Sequence, residues 1–204
     1  MNIALIGPGI MPIPPDGWGG VEHLIWNFHN QLKKEGDDVT IINTKDLHEI
    51  INVVNQGNFD AVHLHYDQYA NIIPHLNCKK KMITSHYPYL ENPEPQYIFL
   101  YDLLKNSGAH IISLSDRIKK EFINRDIKST NISVLPCGID TDLYSLDDVV
   151  YSDRSIVVGK IESRKRQAFL QKKGLNIDFI GNNSDSSFDI SDPCYFGEQS
   201  KQDI

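Results

Sequence analysis

Short uncharged runs rich in β-branched residues alternate along this chain with stretches in which apolar residues recur every three or four positions. Ile3 to Ile6 is the first such run, ended by Gly7-Pro8-Gly9, as in a strand buried on both faces just before a loop. Val21, Leu24, Ile25, Phe28 and Leu32 then predict a helix from Val21 to Lys34, with Gly36 as its stop. Val39 to Asn43 predicts a second strand, Leu47 to Asn55 a helix stopped by Gly57-Asn58, and Ala61 to Leu64 a third strand. The alternation continues with a strand at Lys81 to Thr84, a helix at Gln96 to Ser107 and a strand at His110 to Ser113. A helix at Asp116 to Asn124 and a strand at Ile132 to Leu135 complete it. Strands alternating with helices of about ten residues specify an α/β fold, a Rossmann-like parallel sheet with helices on both faces. Ligands are then expected beyond the carboxyl ends of the strands.

After Ile139-Asp140 the chain turns polar, and Ser155 to Gly159 opens a second α/β pattern, which puts a domain boundary near Tyr151. A helix at Gln167 to Lys173, a strand at Ile177 to Ile180 and a short strand around Tyr195-Phe196 follow. Residues 1–150 thus read as a complete domain and residues 151–204 as an incomplete one, because about 50 residues is near the lower limit for an independent core.

Composition narrows the function classes. Residues 1–150 carry 12 Lys/Arg against 19 Asp/Glu, and residues 151–204 carry 8 against 8, so the net charge of −7 belongs to the first domain. That balance excludes the basic stripe a nucleic-acid-binding surface needs. No run approaches the roughly 18 apolar residues of a membrane span, and the apolar start lacks a basic leader, so a cytoplasmic protein is expected. Cys78, Cys137 and Cys194 have no C-x-x-C spacing, which points to reduced thiols and to neither a disulfide framework nor a zinc site.

Three places could carry chemistry. The loop from Pro12 to Gly20 lies between the first strand and the first helix, where Gly19-Gly20 would let helix-end amides approach a phosphate; the plain alternative is a proline-stiffened turn. His63, His65 and Tyr66 follow the third strand and Thr84-Ser85-His86 the fourth, so polar side chains converge on one edge. A histidine there could hydrogen-bond a sugar hydroxyl; metal binding by His63 and His65, which alternation points to one side, and a purely structural role are the rivals. Lys160, Arg164, Lys165 and Arg166 follow the strand at Ser155, where Lys160 and Lys165 could clamp phosphate oxygens or form a solvated basic helix start.

In order along the chain, "IALIGPG", "PIPPDGWGGVEHLIWNF", "DAVHLHY", "TSHYP", "IISLSDRIKKEF", "VLPCGIDTDLY" and "VGKIESRKRQ" resemble the large family 4 of retaining glycosyltransferases, whose GT-B fold faces two Rossmann-like domains. The resemblance implies that residues 1–150 are the acceptor-side N-terminal domain and residues 151–204 part of the donor-side domain. It also implies that Gly19 and Gly20 face the donor diphosphate, that His86 contacts the donor sugar, and that Lys160 and Lys165 neutralise the departing diphosphate. Asp16, Trp18 and Glu22 fall on the acceptor side, where His65 and Tyr66 are also expected. Catalysis would need no metal or other cofactor, since cations and helix-end amides would stabilise the leaving group. Lys160 stands where the family usually has arginine, and Cys137 where it commonly has asparagine. Family members continue well beyond this length, with a helix whose two glutamates hold the donor sugar and the ribose, and nothing after Gly197-Glu198 supplies it.

The resulting expectation is transfer of a sugar from a nucleotide-sugar to a sugar or glycan acceptor with retention, by an enzyme that is truncated or one half of a split pair. In the split case the partner is a complementary C-terminal chain; the alternative is a non-catalytic acceptor- or partner-binding module derived from such an enzyme, whose exposed face would favour self-association as a homo-oligomer. A Rossmann oxidoreductase fits less well, because the first loop lacks G-x-G-x-x-G and no acidic residue follows the second strand at the expected place.

Overall fold

The computed structural model of the protein describes residues 1–17, 19–86, 97–139, 141 and 153–200. The chain divides into two compact units, Met1–Gly138 and Ile139–Ile204. The boundary expected near Tyr151 and the helix start expected at Gln96 lie outside the described residues.

In the first unit, β1 (Asn2–Ile6), β2 (Asp38–Ile42), β3 (Ala61–Leu64), β4 (Lys80–Thr84), β5 (His110–Ser113) and β6 (Ile132–Val134) form one sheet in the order β2-β1-β3-β4-β5-β6. Every pairing is parallel, so all six carboxyl ends meet one edge. Helices α1 (Gly20–Lys34), α2 (Leu47–Gln56), α3 (Ile98–Asn106) and α4 (Asp116–Asn124) connect them. Because β2 and β3 lie on opposite sides of β1, the strand order reverses at β1, the place where doubly wound sheets open a crevice.

The local chemistry fits these elements. Asp46 caps α2 by accepting from the amides of His48 and Glu49, and Ser115 caps α4 by accepting from Ile118. Glu22 in the first turn of α1 and Lys33 and Lys34 in its last oppose the ends of its dipole. Alternation along β1 sends Ile3 and Leu5 to one side, with Ile25 and Val39, and Ala4 and Ile6 to the other, with Leu64, Ile83, Ile111 and Phe122. The uncharged run at the start of the sequence is therefore a strand with both faces buried.

A segment from Asp67 to His75, unmarked by the hydrophobic pattern, winds as 3-10 turns over the exit of β3. Pro74 and the absence of a 3.6-residue period keep it from being an α-helix.

The second unit pairs β7 (Ser155–Val158) with β8 (Ile177–Ile180) in parallel, with α5 (Gln167–Gln171) between them. Its core is small: Phe188 packs edge-to-face on both Phe179 and Tyr195 at 5.3 Å, beside Ile161, Ala168 and Ile177. The strand expected around Tyr195-Phe196 is a single bridge to Phe179, since the Asp192–Tyr195 turn and the left-handed Gly197 leave room for no more. Helix α5 stops two residues before Lys173, its last turn tightening into bonds from Lys173 to Leu170 and from Gly174 to Gln171. Ile156 and Val158 on β7 remain more than half exposed.

Candidate functional site

The exit of β1 is held from both sides. The Gly7 amide donates to Ile42 at 2.9 Å, the Gly9 amide to Asn43 Oδ1 at 2.8 Å, and Asn43 Nδ2 donates to the Met11 carbonyl at 2.8 Å. From the other side the Tyr69 hydroxyl donates to the Pro8 carbonyl at 2.9 Å. One asparagine at the end of β2 and one tyrosine in the 3-10 segment therefore fix the loop that leads to α1.

That loop delivers Gly19 at φ 136, a region L-residues avoid, and α1 begins at Gly20. A Cβ on Gly19 would lie 3.1 Å from Glu22 Oε2, whereas one on Gly20 would meet nothing within 4 Å. Among the described residues no side chain caps the helix, which leaves its first amides and the positive end of its dipole without a side-chain acceptor. Glu22 is buried beside this turn, Asp16 is exposed, and His23 Nε2 donates to the Gly17 carbonyl at 2.6 Å. Trp18 lies outside the described residues.

Beyond β3 and β4 the polar side chains do converge. His65 Nδ1 and His86 Nε2 lie 3.1 Å apart in hydrogen-bond geometry, with the rings stacked at 5.4 Å. The His63 ring lies tilted against that of His65 at 4.0 Å and bonds Thr84 Oγ1 at 2.7 Å through Nε2, while Phe28 of α1 packs on both rings at about 6 Å. Burial, reinforced by the His86 charge, pushes His63 down to about 3. Burial alone takes His86 to about 4. His65 falls well below its ordinary value, by burial first and then by the charges of His63 and His86. At neutral pH the cluster is three neutral imidazoles, which offer directional hydrogen bonds and no charge.

Beside it Asp67 is buried and accepts a 2.8 Å bond from Ser85 Oγ; burial raises its carboxyl to about 7, against the lowering effect of that bond. Tyr66 is half-buried and packs edge-to-face on Tyr69 at 4.8 Å, its hydroxyl raised chiefly by burial. Among the described residues no three His, Cys, Asp or Glu side chains converge as a metal site, and the ring nitrogens of His63 and His65 that bond Thr84 and His86 are engaged.

In the second unit the turn after β7 folds its cations back on itself. Lys165 Nζ donates to the Lys160 carbonyl at 3.2 Å and lies 3.4 Å from Glu162, which also pairs with Arg164 at 2.6 Å. Gln167, buried, donates to the same Lys160 carbonyl at 3.1 Å and accepts from the Glu162 amide. An ammonium has three donors, so Lys165, still partly exposed, retains capacity for an anion.

The sequence marks Gly19, Gly20, His65 and His86 as candidates but not Asn43, Asp67, Tyr69 and Gln167, which hold the β1 loop, Ser85 and the Lys160 turn in place. A polar residue at a strand end, as Asn43 is at the end of β2, was the one available signal.

The comparisons with known proteins bear on this geometry. Residues 44–143 match the family model of Glycosyltransferase Family 4. No curated protein matches the sequence. Among solved structures the chain is similar to AviGT4, a glycosyltransferase involved in avilamycin A biosynthesis, at a TM-score of 0.62 and 16% identity over 89% of this chain and 57% of that one. It is similar to Anabaena HepE in complex with UDP-glucose at a TM-score of 0.65 and 13% identity, covering 98% of this chain and 70% of that one. The lipopolysaccharide outer core galactosyltransferase WaaB gives 0.57 and 16%, over 98% and 69%. The resemblance carried by the sequence blocks therefore holds, and the first unit has the Rossmann-like N-terminal sheet of GT-B glycosyltransferases. The chain spans little more than half the length of AviGT4. No helix among the described residues is long and apolar enough to cross a membrane.

Proposed function

We propose that this chain is a cytoplasmic glycosyltransferase, or the acceptor-side part of one, that moves a sugar from a nucleotide-sugar to a sugar or glycan acceptor with retention. The observations that carry the reading are the parallel sheet edge from which both the loop into α1 and the paired imidazoles of His65 and His86 emerge, and the cavity that His86 lines with Leu24 and Phe28 of α1. The amides of α1 receive the diphosphate, and Lys160 and Lys165 of the second unit are cations of the kind that offset negative charge growing as a glycosidic bond to a diphosphate breaks. These groups take the place of a divalent ion. His86 hydrogen-bonds the donor sugar, and Asp16, Trp18, Glu22 and Tyr66 receive the acceptor. His65 is 1% exposed, so it acts on ligands only through His86.

A second reading, a binding module that kept the glycosyltransferase fold without its donor chemistry, is favoured by the inward engagement of Lys165. A second copy or a complementary chain over Ile156 and Val158 belongs to that reading. Calorimetry separates the two. The first predicts micromolar binding of a nucleoside-diphosphate sugar, weakened at least about tenfold in Lys160→Ala/Lys165→Ala, since each charge-assisted bond contributes about 1.5–3 kcal/mol. Absence of binding to UDP-, GDP- and ADP-sugars alike leaves the module.

A further inference from the structure

The hydrogen bond between His65 and His86 joins two ring nitrogens, so one must donate and the other accept. Which way it runs decides what His86 presents to a ligand, and the surroundings of His65 decide the direction. Its second nitrogen, Nε2, is buried with no hydrogen-bond partner among the described residues. Around that ring lie the Phe28 ring at 6.1 Å and the His63 ring at 4.0 Å, and the Nε2 of His63 is already bonded to Thr84. The His65 backbone amide is bonded to the Ile6 carbonyl at 3.0 Å, which fixes the residue at the end of β3. If Nε2 of His65 carried its proton, a donor would be buried without an acceptor, a state native structures rarely tolerate; a buried lone pair is the lesser loss.

We propose that His65 is a positioning residue: its Nδ1–H donates to His86 Nε2, which holds His86 in the Nδ1–H tautomer and aims that N–H out of the sheet edge as a fixed hydrogen-bond donor. The rule is general for paired imidazoles, in which the bond made by one nitrogen sets the proton on the other. Both rings being neutral at pH 7 leaves each with one donor and one acceptor, as this relay requires. Nδ1 of His86 has no partner among the described residues, and the ring lines a small cavity with Leu24, Phe28, Ile112 and Cys137. The group it receives is therefore an acceptor oxygen, a hydroxyl or phosphate, and His86 is not a base at that nitrogen. That this oxygen belongs to a donor sugar rests on the function proposed above; the tautomer does not.

The test is a long-range proton–nitrogen NMR spectrum of the full chain labelled with 15N in its histidines, where protonated and unprotonated ring nitrogens resonate far apart. The proposal predicts protonated Nδ1 and bare Nε2 on both His65 and His86. Protonated Nε2 on either ring overturns it. His65→Asn, whose amide N–H replaces the Nδ1 donor, should keep the His86 tautomer; His65→Phe should release it to a mixture, and an unchanged tautomer in a folded His65→Phe overturns the proposal. Should His65→Phe not fold, the wild-type spectrum decides. Titrated with UDP-glucose, His65→Phe is expected to bind about tenfold more weakly and His65→Asn within a few-fold of wild type, the loss of one oriented hydrogen bond. If wild type binds no UDP-glucose, the functional reading fails while the nitrogen spectrum still reports on the tautomer.

Discussion

Acidifying the protein from about pH 6 to about pH 4.5 is expected to cost the first unit roughly 3 kcal/mol of stability per pH unit. The unfolded histidines bind protons below about pH 6.5, whereas folded His63 and His86 do so only near 3 and 4 and His65 lower than its ordinary value. Their contribution is complete above the unfolded value and is lost as pH falls towards the folded ones. Asp67 opposes them: its folded value near 7 means the native state holds a proton there that the unfolded chain releases above about pH 4. Three protons gained on unfolding against one lost leave about two, hence the slope. Total stability of about 5–15 kcal/mol would be consumed within a few pH units. Urea unfolding followed by tryptophan fluorescence reports on this unit, because both tryptophans, Trp18 and Trp26, lie in it. Asp67→Asn should steepen the slope to about three protons and raise stability above pH 7. A flat profile from pH 7 to pH 5 would mean that the imidazoles are not buried together.

The second large effect is at Gly9. Its φ is 65, and a Cβ there would lie 2.4 Å from the Thr44 carbonyl carbon and 2.6 Å from the Lys45 nitrogen, both backbone atoms that cannot swing aside. Gly9→Ala combines a left-handed backbone penalty with a forced shift of the chain after β2, for a loss of roughly 3–4 kcal/mol. Gly20→Ala is the control: with open space around it and a helix to begin, it should leave stability within about 1 kcal/mol of wild type or raise it. Equal losses at the two positions, measured by the same urea titration, would contradict the described path of the β1 loop.

Those two glycines also mark what the sequence could and could not disclose. Gly19-Gly20 stands out because a proline-rich loop and an amphipathic helix flank it; Gly9 does not, because the backbone it must avoid is more than thirty residues away in sequence. The strands were legible for a physical reason. A parallel sheet covered on both faces demands uninterrupted apolar runs, and Ala61–Leu64 and His110–Ser113 are each bounded where the pattern puts them. Asp67–His75 was not legible, since its apolar residues follow no helical period and its function is to brace Pro8 and Ser85 from afar. His65 stands out in sequence as a strand-end polar residue, yet only the surroundings of its ring nitrogens, Nδ1 bonded to His86 and Nε2 buried without a partner among the described residues, distinguish a residue that touches ligand from one that sets a neighbour's proton. Lys165 was legible as a cation after a strand, while its turn back to the Lys160 carbonyl depends on Gly159 at φ 137, a conformation that one-dimensional pattern does not encode.

The central claim is that the start of α1 receives the diphosphate of a nucleotide-sugar. Titrating the 15N-labelled chain with UDP-glucose while following backbone amides tests it most directly. The account predicts saturable downfield shifts of the Gly19 and Gly20 amides, with the His86 ring signals moving at the same ligand concentration. Saturable binding that leaves Gly19, Gly20 and His86 unmoved would contradict it.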